Sequence, residues 1–236
     1  MSDAEVKILA TTAMKTVFEE LAPQLQAATG KRVSGSFGPS VQIEKRIAEG
    51  EAAEMAVLTT AAANDMLARG KVLAGSLRDI ARSSLGVAMQ RGAPRPDISS
   101  VEAFKRALLS AKSVAASKPV GAGLSGAHMA KVFVDLGIAE AMAPKMKYGT
   151  GGVTGLVGLI IERGEAEIGV QQIAELKAVP GVDFVGPLPA ALQAITPFTA
   201  AIPTNAPDAQ AGRKLIDFLL TPAAKRVIAA KGLEPA

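Results

Sequence analysis

Short apolar runs alternate with longer stretches of helical period along most of the chain. Residues 6–10 read as a strand and Thr11-Thr12 as a turn and helix cap. Residues 14–28 follow as a helix ending at Gly30, in which Pro23 predicts a kink or break. Residues 33–37 form the next predicted strand, Gly38-Pro39-Ser40 a turn, and residues 41–49 a helix stopped by Gly50. A third unit follows, with a strand over 55–58, Thr59-Thr60 as its cap, and a helix over 61–69 ending at Gly70. Three β-α units in succession predict a parallel sheet with right-handed crossovers.

The second half repeats the theme less regularly. Residues 84–89 read as a strand, 91–96 as an exposed turn, and Ser99-x-x-Glu102 as a capping box for a helix through Leu109. A short strand over 114–116 and a loop over 117–123 precede Ser125, which is placed to cap a helix over 126–136. Then comes Lys147-Tyr148-Gly149-Thr150-Gly151-Gly152-Val153-Thr154-Gly155, leading into a helix-length apolar segment over 156–163. Glycines before a helix let backbone approach a ligand, and the unpaired amides of a first turn favour an anionic group. The run lacks the Gly-Lys-Ser/Thr of a phosphate-binding P-loop and is not a clean GxGxxG, so by itself it reads equally as a flexible turn. Residues 168–170 are a strand, and Gln171-Gln172 start another helix. Extended segments at 182–185 and 195–202 lead to two final helices, 207–219 and 222–230, each opening on proline. There is no sequence repeat or low-complexity tract.

Composition narrows the chemistry. With 236 residues, 49% of them apolar, the chain can bury a large core in one domain or two. A surplus of only four positive charges, and aromatics at 3% with no tryptophan, exclude a nucleic-acid footprint built on a basic patch or on base stacking. The absence of cysteine and the presence of a single histidine exclude thiol catalysis and multi-histidine metal centres, so neither a metal nor another cofactor is expected. No segment reaches the about 18 uninterrupted apolar residues of a membrane helix. The opening Met1-Ser2-Asp3-Ala4-Glu5 has no basic or long apolar leader region, which predicts a cytoplasmic chain. A periplasmic protein whose leader had been removed reads the same way.

Polar or glycine-containing turns follow five strands, at Thr11-Thr12, Gly38-Pro39-Ser40, Thr59-Thr60, Ser125-Gly126 and Gln171-Gln172. Ligands of open α/β sheets bind outside the carboxyl ends of the strands, where such turns converge, although every helix also needs an ordinary cap. The succession Ala10-Thr11-Thr12-Ala13, then Phe37-Gly38-Pro39-Ser40, then residues 50–58, with residues 215–224 and Lys231-Gly232-Leu233 at the close, resembles the type II solute-binding proteins of ABC transporters. It is most similar to their molybdate-binding branch, over nearly the whole chain.

The resemblance implies an α/β fold of two lobes, each a mostly parallel sheet flanked by helices, joined by two crossover strands. The lobes would be residues 5–82 plus 196–236, and residues 83–195. It further implies an interlobe cleft that clasps a ligand with Thr11, Thr12, Pro39, Ser40, Ser125, Gly126, Gly151, Gly152, Val153 and Thr154. Thr59, Gln171 and Gln172 join them as cleft candidates. Two departures count against molybdate itself: Ala13 stands where that branch usually has a serine, and Gln172 where it usually has a tyrosine. A buried oxyanion missing a donor loses about 1–3 kcal/mol per group, so a small organic acid or similar acceptor-rich molecule fits better.

His128 is the natural general acid or base near neutral pH, but no nucleophile or orienting carboxylate accompanies it in the sequence, which favours a structural role. Glu44, Lys45 and Arg46 read as a solvated helix face, Tyr148 as a pocket wall or hinge cover, and Arg82 as an exposed hinge cation. The leading expectation is a non-catalytic solute-binding protein for a small polar or anionic ligand, with an ABC-transporter permease as partner if exported. The alternatives are a metal-free cytoplasmic enzyme on the same fold, an isomerase, tautomerase or dehydratase of a small organic acid using His128, and a ligand sensor.

Overall fold

The computed structural model describes residues 5–121 and 124–236. The first four residues and part of the predicted loop at 117–123 lie outside that description. In chain order, β1 (Glu5–Thr11) passes through a 3-10 turn at Thr12–Met14 into α1 (Lys15–Thr29). Then β2 (Arg32–Gly38) leads to α2 (Ser40–Ala48), β3 (Met55–Thr59) to α3 (Thr60–Ala68), and β4 (Arg78–Ser83) follows. The middle of the chain contributes β5 (Leu85–Gln90), α4 (Val101–Ser110), β6 (Val114–Ser117), α5 (Leu124–Asp135), α6 (Ala139–Met142) and β7 (Met146–Gly149). It continues with α7 (Val157–Glu162), β8 (Ile168–Gln172), α8 (Ile173–Lys177) and β9 (Val182–Pro187). The chain closes with β10 (Thr196–Ala201), α9 (Ala209–Leu219), α10 (Pro222–Ala230) and β11 (Glu234–Pro235).

Two units result. One runs to Ser83 and resumes at Thr196–Ala236; the other is Ser84–Ile195. The first has a six-stranded sheet in the order β11-β4-β10-β3-β1-β2, the second a five-stranded sheet in the order β7-β6-β8-β5-β9. Within each, the strands of successive β-α units pair in parallel, β1 with β2 and β3, and β6 with β7 and β8. The remaining pairs are antiparallel: β10 with β3 and β4, β11 with β4, and β5 with β8 and β9. Both sheets are therefore mixed, a refinement of the mostly parallel sheets expected. The β-α-β pattern fixes the direction only of strands joined by a crossover helix, and β10 and β5 enter their sheets without one.

The central strands are buried on both faces, which is why they read as unbroken apolar runs: Val6, Ile8, Leu9 and Ala10 in β1 are all inaccessible. In the second unit, Val87, Val114, Ile168 and Val170 pack with Phe104 of α4 and Met129 and Val132 of α5 on one face. Ala88 and Ala115 pack with Val157, Ile160 and Ile161 of α7 and Leu176 of α8 on the other.

Several boundaries differ from the sequence reading, each for a local reason. Pro23 does not break α1, because it lies on the exposed side, where water can serve the carbonyl it deprives of a partner. Ser100, not Ser99, caps α4 by accepting from the Ala103 amide at 3.1 Å. Asp208 caps α9 through the Ala211 amide at 2.9 Å, so that helix starts two residues after Pro207. Gln171 and Gln172 are the last residues of β8, not the first of a helix, and Ser125 sits inside the first turn of α5.

Candidate functional site

In the first unit, Thr11, Thr12, Pro39, Ser40 and Thr59 all fall where β1, β2 and β3 give way to helices, at the carboxyl edge of the parallel strands. Their hydroxyls are not equivalent. Thr59 is an ordinary cap, its Oγ1 accepting from the Ala62 amide at 3.2 Å. Thr60 is occupied too, in a chain through Thr199 to Asp79 with contacts of 2.8 and 2.6 Å. Thr12 differs: it is 6% exposed, caps nothing, and its Oγ1 has no hydrogen-bond partner. Pro39 is the N-cap of α2 and Ser40 its first residue, with no side-chain cap, so the start of that helix has no side-chain acceptor of its own.

In the second unit, the loops after β6, β7 and β8 meet the starts of α5, α7 and α8. The Ser125 hydroxyl donates to Ser117 Oγ at 3.2 Å, and both are buried. Gly126 lets α5 press onto the preceding loop: a Cβ there would lie 2.1 Å from the Lys118 carbonyl oxygen and 2.6 Å from that of Ser117. The Lys118 amide in turn donates to the Gly149 carbonyl at 2.9 Å, fastening that loop to the end of β7.

The glycine run is partly strand, since β7 includes Lys147, Tyr148 and Gly149. The remainder is a tight loop in which the Gly151 amide donates to the Gly155 carbonyl at 3.2 Å. Gly151 and Gly152 have φ of 78° and 67°, a consecutive left-handed pair that side chains with a Cβ resist. Val153 and Thr154 stand exposed at its tip.

The two glutamines diverge, as alternation along a strand requires. Gln171 points to the α7 face, and its Oε1 accepts from the Val157 amide at 2.8 Å, so the first amide of α7 is already occupied. Gln172 shares a face with Ile168 and Val170, the side covered by α5; it is 8% exposed and its Oε1 lacks a partner. His128 Nε2 lies 2.8 Å from the Leu192 carbonyl. Because a carbonyl only accepts, Nε2 carries the proton, and the ring ties α5 to the turn at Ala190–Leu192.

The sequence reading did not single out Ser83, which is buried, or Glu175, which is half-buried. Glu175 lies in the first turn of α8, its carboxyl withdrawn from solvent although the residue keeps some accessible surface. Burial pushes that carboxyl up to about 7, against a weaker opposing effect of its hydrogen bond with Gln171. A carboxyl that binds its proton more tightly folded than unfolded contributes stability present below the unfolded value and lost as pH rises to about 7. The loss is up to about 3 kcal/mol between pH 4.5 and 7. Glu175→Gln is therefore expected to flatten most of the decline in urea midpoint between pH 5 and pH 7.5; identical decline in both proteins would remove Glu175 as its source.

A cavity of about 620 Å3, lined by Met89, Gln90, Pro94, Asp97, Arg106 and Ile168 among others, lies elsewhere. It opens where β5 ends and β8 begins, the opposite edge of the second sheet from these loops. Among the described residues, no group of His, Asp or Glu side chains could hold a metal ion, and no helix is long and apolar enough to cross a membrane.

A two-unit α/β chain of this sheet order, with polar turns at the carboxyl edges, is the fold of the type II periplasmic binding proteins. Residues 6–234 match the family of bacterial extracellular solute-binding proteins, and the chain belongs to it. The fold is similar to that of the periplasmic molybdate-binding protein of Azotobacter vinelandii, which superposes with a TM-score of 0.78 at 19% identity, covering 97% of this chain and 98% of that one. The sulfate-binding protein of Mycobacterium tuberculosis gives 0.70 at 16% identity over 99% and 87%. A nearer relative in sequence is an aconitate isomerase from a Pseudomonas species, 32% identical over 234 residues, which span 97% of this chain and 87% of that protein.

Proposed function

We propose that this protein binds a small unsaturated polycarboxylate of the aconitate type and interconverts its isomers, using a solute-binding fold as an enzyme scaffold. The observation that carries the reading is the kinship with an aconitate isomerase, at 32% identity over 97% of this chain and 87% of that protein. The site chemistry agrees with it. Thr12 supplies a buried hydroxyl without a partner, a donor whose desolvation a ligand carboxylate would offset, and the unpartnered amide oxygen of Gln172 is placed to accept from a protonated or hydroxylated group. The first unit offers the ligand Thr12, Pro39 and Ser40; the second offers its own set, Ser125, Gly126, the loop at Gly151, Gly152, Val153 and Thr154, and Gln172. Thr11, Thr59 and Gln171 shape those loops. Ala13 and Gln172, where the molybdate-binding branch has hydroxyl donors, weigh against a bare oxyanion.

The reaction is an allylic proton shift. A proton leaves the methylene beside the double bond, the double bond moves to that carbon, and a proton returns at the former alkene carbon. Because both ends of the chain carry a carboxylate, the shift turns one geometrical isomer into the other, with no change in oxidation state. His128 could take part only through Nδ1, since Nε2 is committed to Leu192.

Family membership favours a second reading, a carrier that delivers the same ligand class to an ABC-transporter permease outside the cytoplasm. One experiment separates the two: cis-aconitate in D2O with the protein, followed by NMR, alongside melting curves with aconitate, citrate, molybdate and tungstate. Appearance of deuterated trans-aconitate supports the enzyme. Stabilisation without conversion supports the carrier, and stabilisation by molybdate or tungstate alone overturns the polycarboxylate assignment.

A further inference from the structure

Three buried polar side-chain atoms lack a hydrogen-bond partner among the described residues: Thr12 Oγ1, Gln172 Oε1 and Ser83 Oγ. The first two belong to the loops already assigned to the ligand; Ser83 does not. It ends β4, is 1% exposed, and sits opposite the buried Thr196 of β10. On β10, Phe198 pairs with both Thr59 and Ala81, so Ser83 and Thr196 extend past the end of β3. They reach the same edge of the first sheet from which Thr12 and Ser40 emerge. A serine kept only for packing gains nothing from a buried, unpartnered hydroxyl, which costs stability until something bonds to it.

We propose that Ser83 is a further ligand-reading residue, donating its hydroxyl to a carboxylate at the far end of the ligand held by Thr12, and that it selects polycarboxylates over single oxyanions. The inference rests on the polycarboxylate reading above and deepens it. Between β4 and β1 lie β10 and β3, three inter-strand steps in all. At about 4.8 Å per step these place the two strands roughly 14 Å apart. A hydrogen bond of about 2.8 Å at each end leaves a ligand span of roughly 8 Å, and the reach of the side chains shortens it further. A tetrahedral oxyanion is too small to meet both hydroxyls. A five-carbon chain ending in two carboxylates spans roughly 6–7 Å, with carbon–carbon bonds near 1.5 Å. Hydroxyl donation to a carboxylate is charge-assisted, so neither end requires a cation.

The test titrates wild type and Ser83→Ala with tricarballylate, a saturated tricarboxylate that cannot isomerise, and with malonate, too short to reach both hydroxyls. Ser83→Ala is expected to bind tricarballylate about tenfold more weakly and malonate within about twofold of wild type, with an unchanged or raised melting temperature for the free protein. Equal losses for both ligands, or a lowered melting temperature, would assign Ser83 to structure and overturn the proposal. Unchanged affinity for tricarballylate overturns it too, while leaving the ligand class standing. A wild type that binds molybdate and no carboxylate overturns the ligand class itself, and this inference with it.

Discussion

Gly126→Ala is expected to lower stability by about 3 kcal/mol and to weaken ligand binding by at least roughly tenfold. The added methyl would meet the Lys118 carbonyl oxygen at 2.1 Å and the Lys118 carbonyl carbon at 2.6 Å, and neither is the free end of a flexible side chain. Relief requires α5 to back away from the loop after β6, carrying Ser125 off Ser117 and shifting the loop that the Lys118 amide fastens to Gly149. In a chain of this size the loss corresponds to a fall of roughly 6–12 °C in melting temperature. Differential scanning calorimetry and ligand titration read the two effects. A melting temperature within about a degree of wild type would mean that the contact yields without cost.

Thr12→Val is expected to separate stability from binding. The substitution keeps the shape of the side chain and deletes a hydroxyl that is buried without a partner, so the free protein should gain roughly 1 kcal/mol. Ligand affinity should fall about 10- to 100-fold, because the lost hydrogen bond goes to a charged acceptor in a dry site. Equilibrium unfolding without ligand and calorimetric titration with tricarballylate give the two numbers. A variant that is more stable and binds equally well would take Thr12 out of the site.

Much of the fold could be read from the chain because its central strands are apolar on both faces and its helices carry their caps. Residues 6–10 and 55–58 were legible for the first reason, and Thr221, whose hydroxyl accepts from the Ala224 amide at 3.3 Å, marks α10 for the second. What escaped had no local signature. Strand β4, Arg-Asp-Ile-Ala-Arg-Ser, is half charged and lacks strict alternation, and it becomes a strand only because β10 and β11 pair with it. Strand β7 is four residues long and merges into the glycine run, which hid it.

At the candidate site, the division of labour among the polar turn residues was not legible in the sequence. A threonine after a strand looks the same whether its hydroxyl caps a helix, as Thr59 does, or is left unpartnered, as at Thr12. Adjacent glutamines look interchangeable until alternation sends one to bond the start of α7 and leaves the other's amide oxygen without a partner. Ser83 and Glu175 stand out only once burial is known, because neither sits in a motif.

Strand β10 lies between β3 and β4, so the sheet of the first unit is interrupted until the last part of the chain has been made. Every strand of the other sheet comes from one continuous stretch, Ser84–Ile195. During synthesis from the amino end, the half of the molecule that emerges second can therefore be completed first. Meanwhile β3 and β4 wait with open edges, exposed to pairing with the wrong chain. Truncation at the carboxyl end should accordingly do its damage near the amino end, leaving the middle of the protein folded.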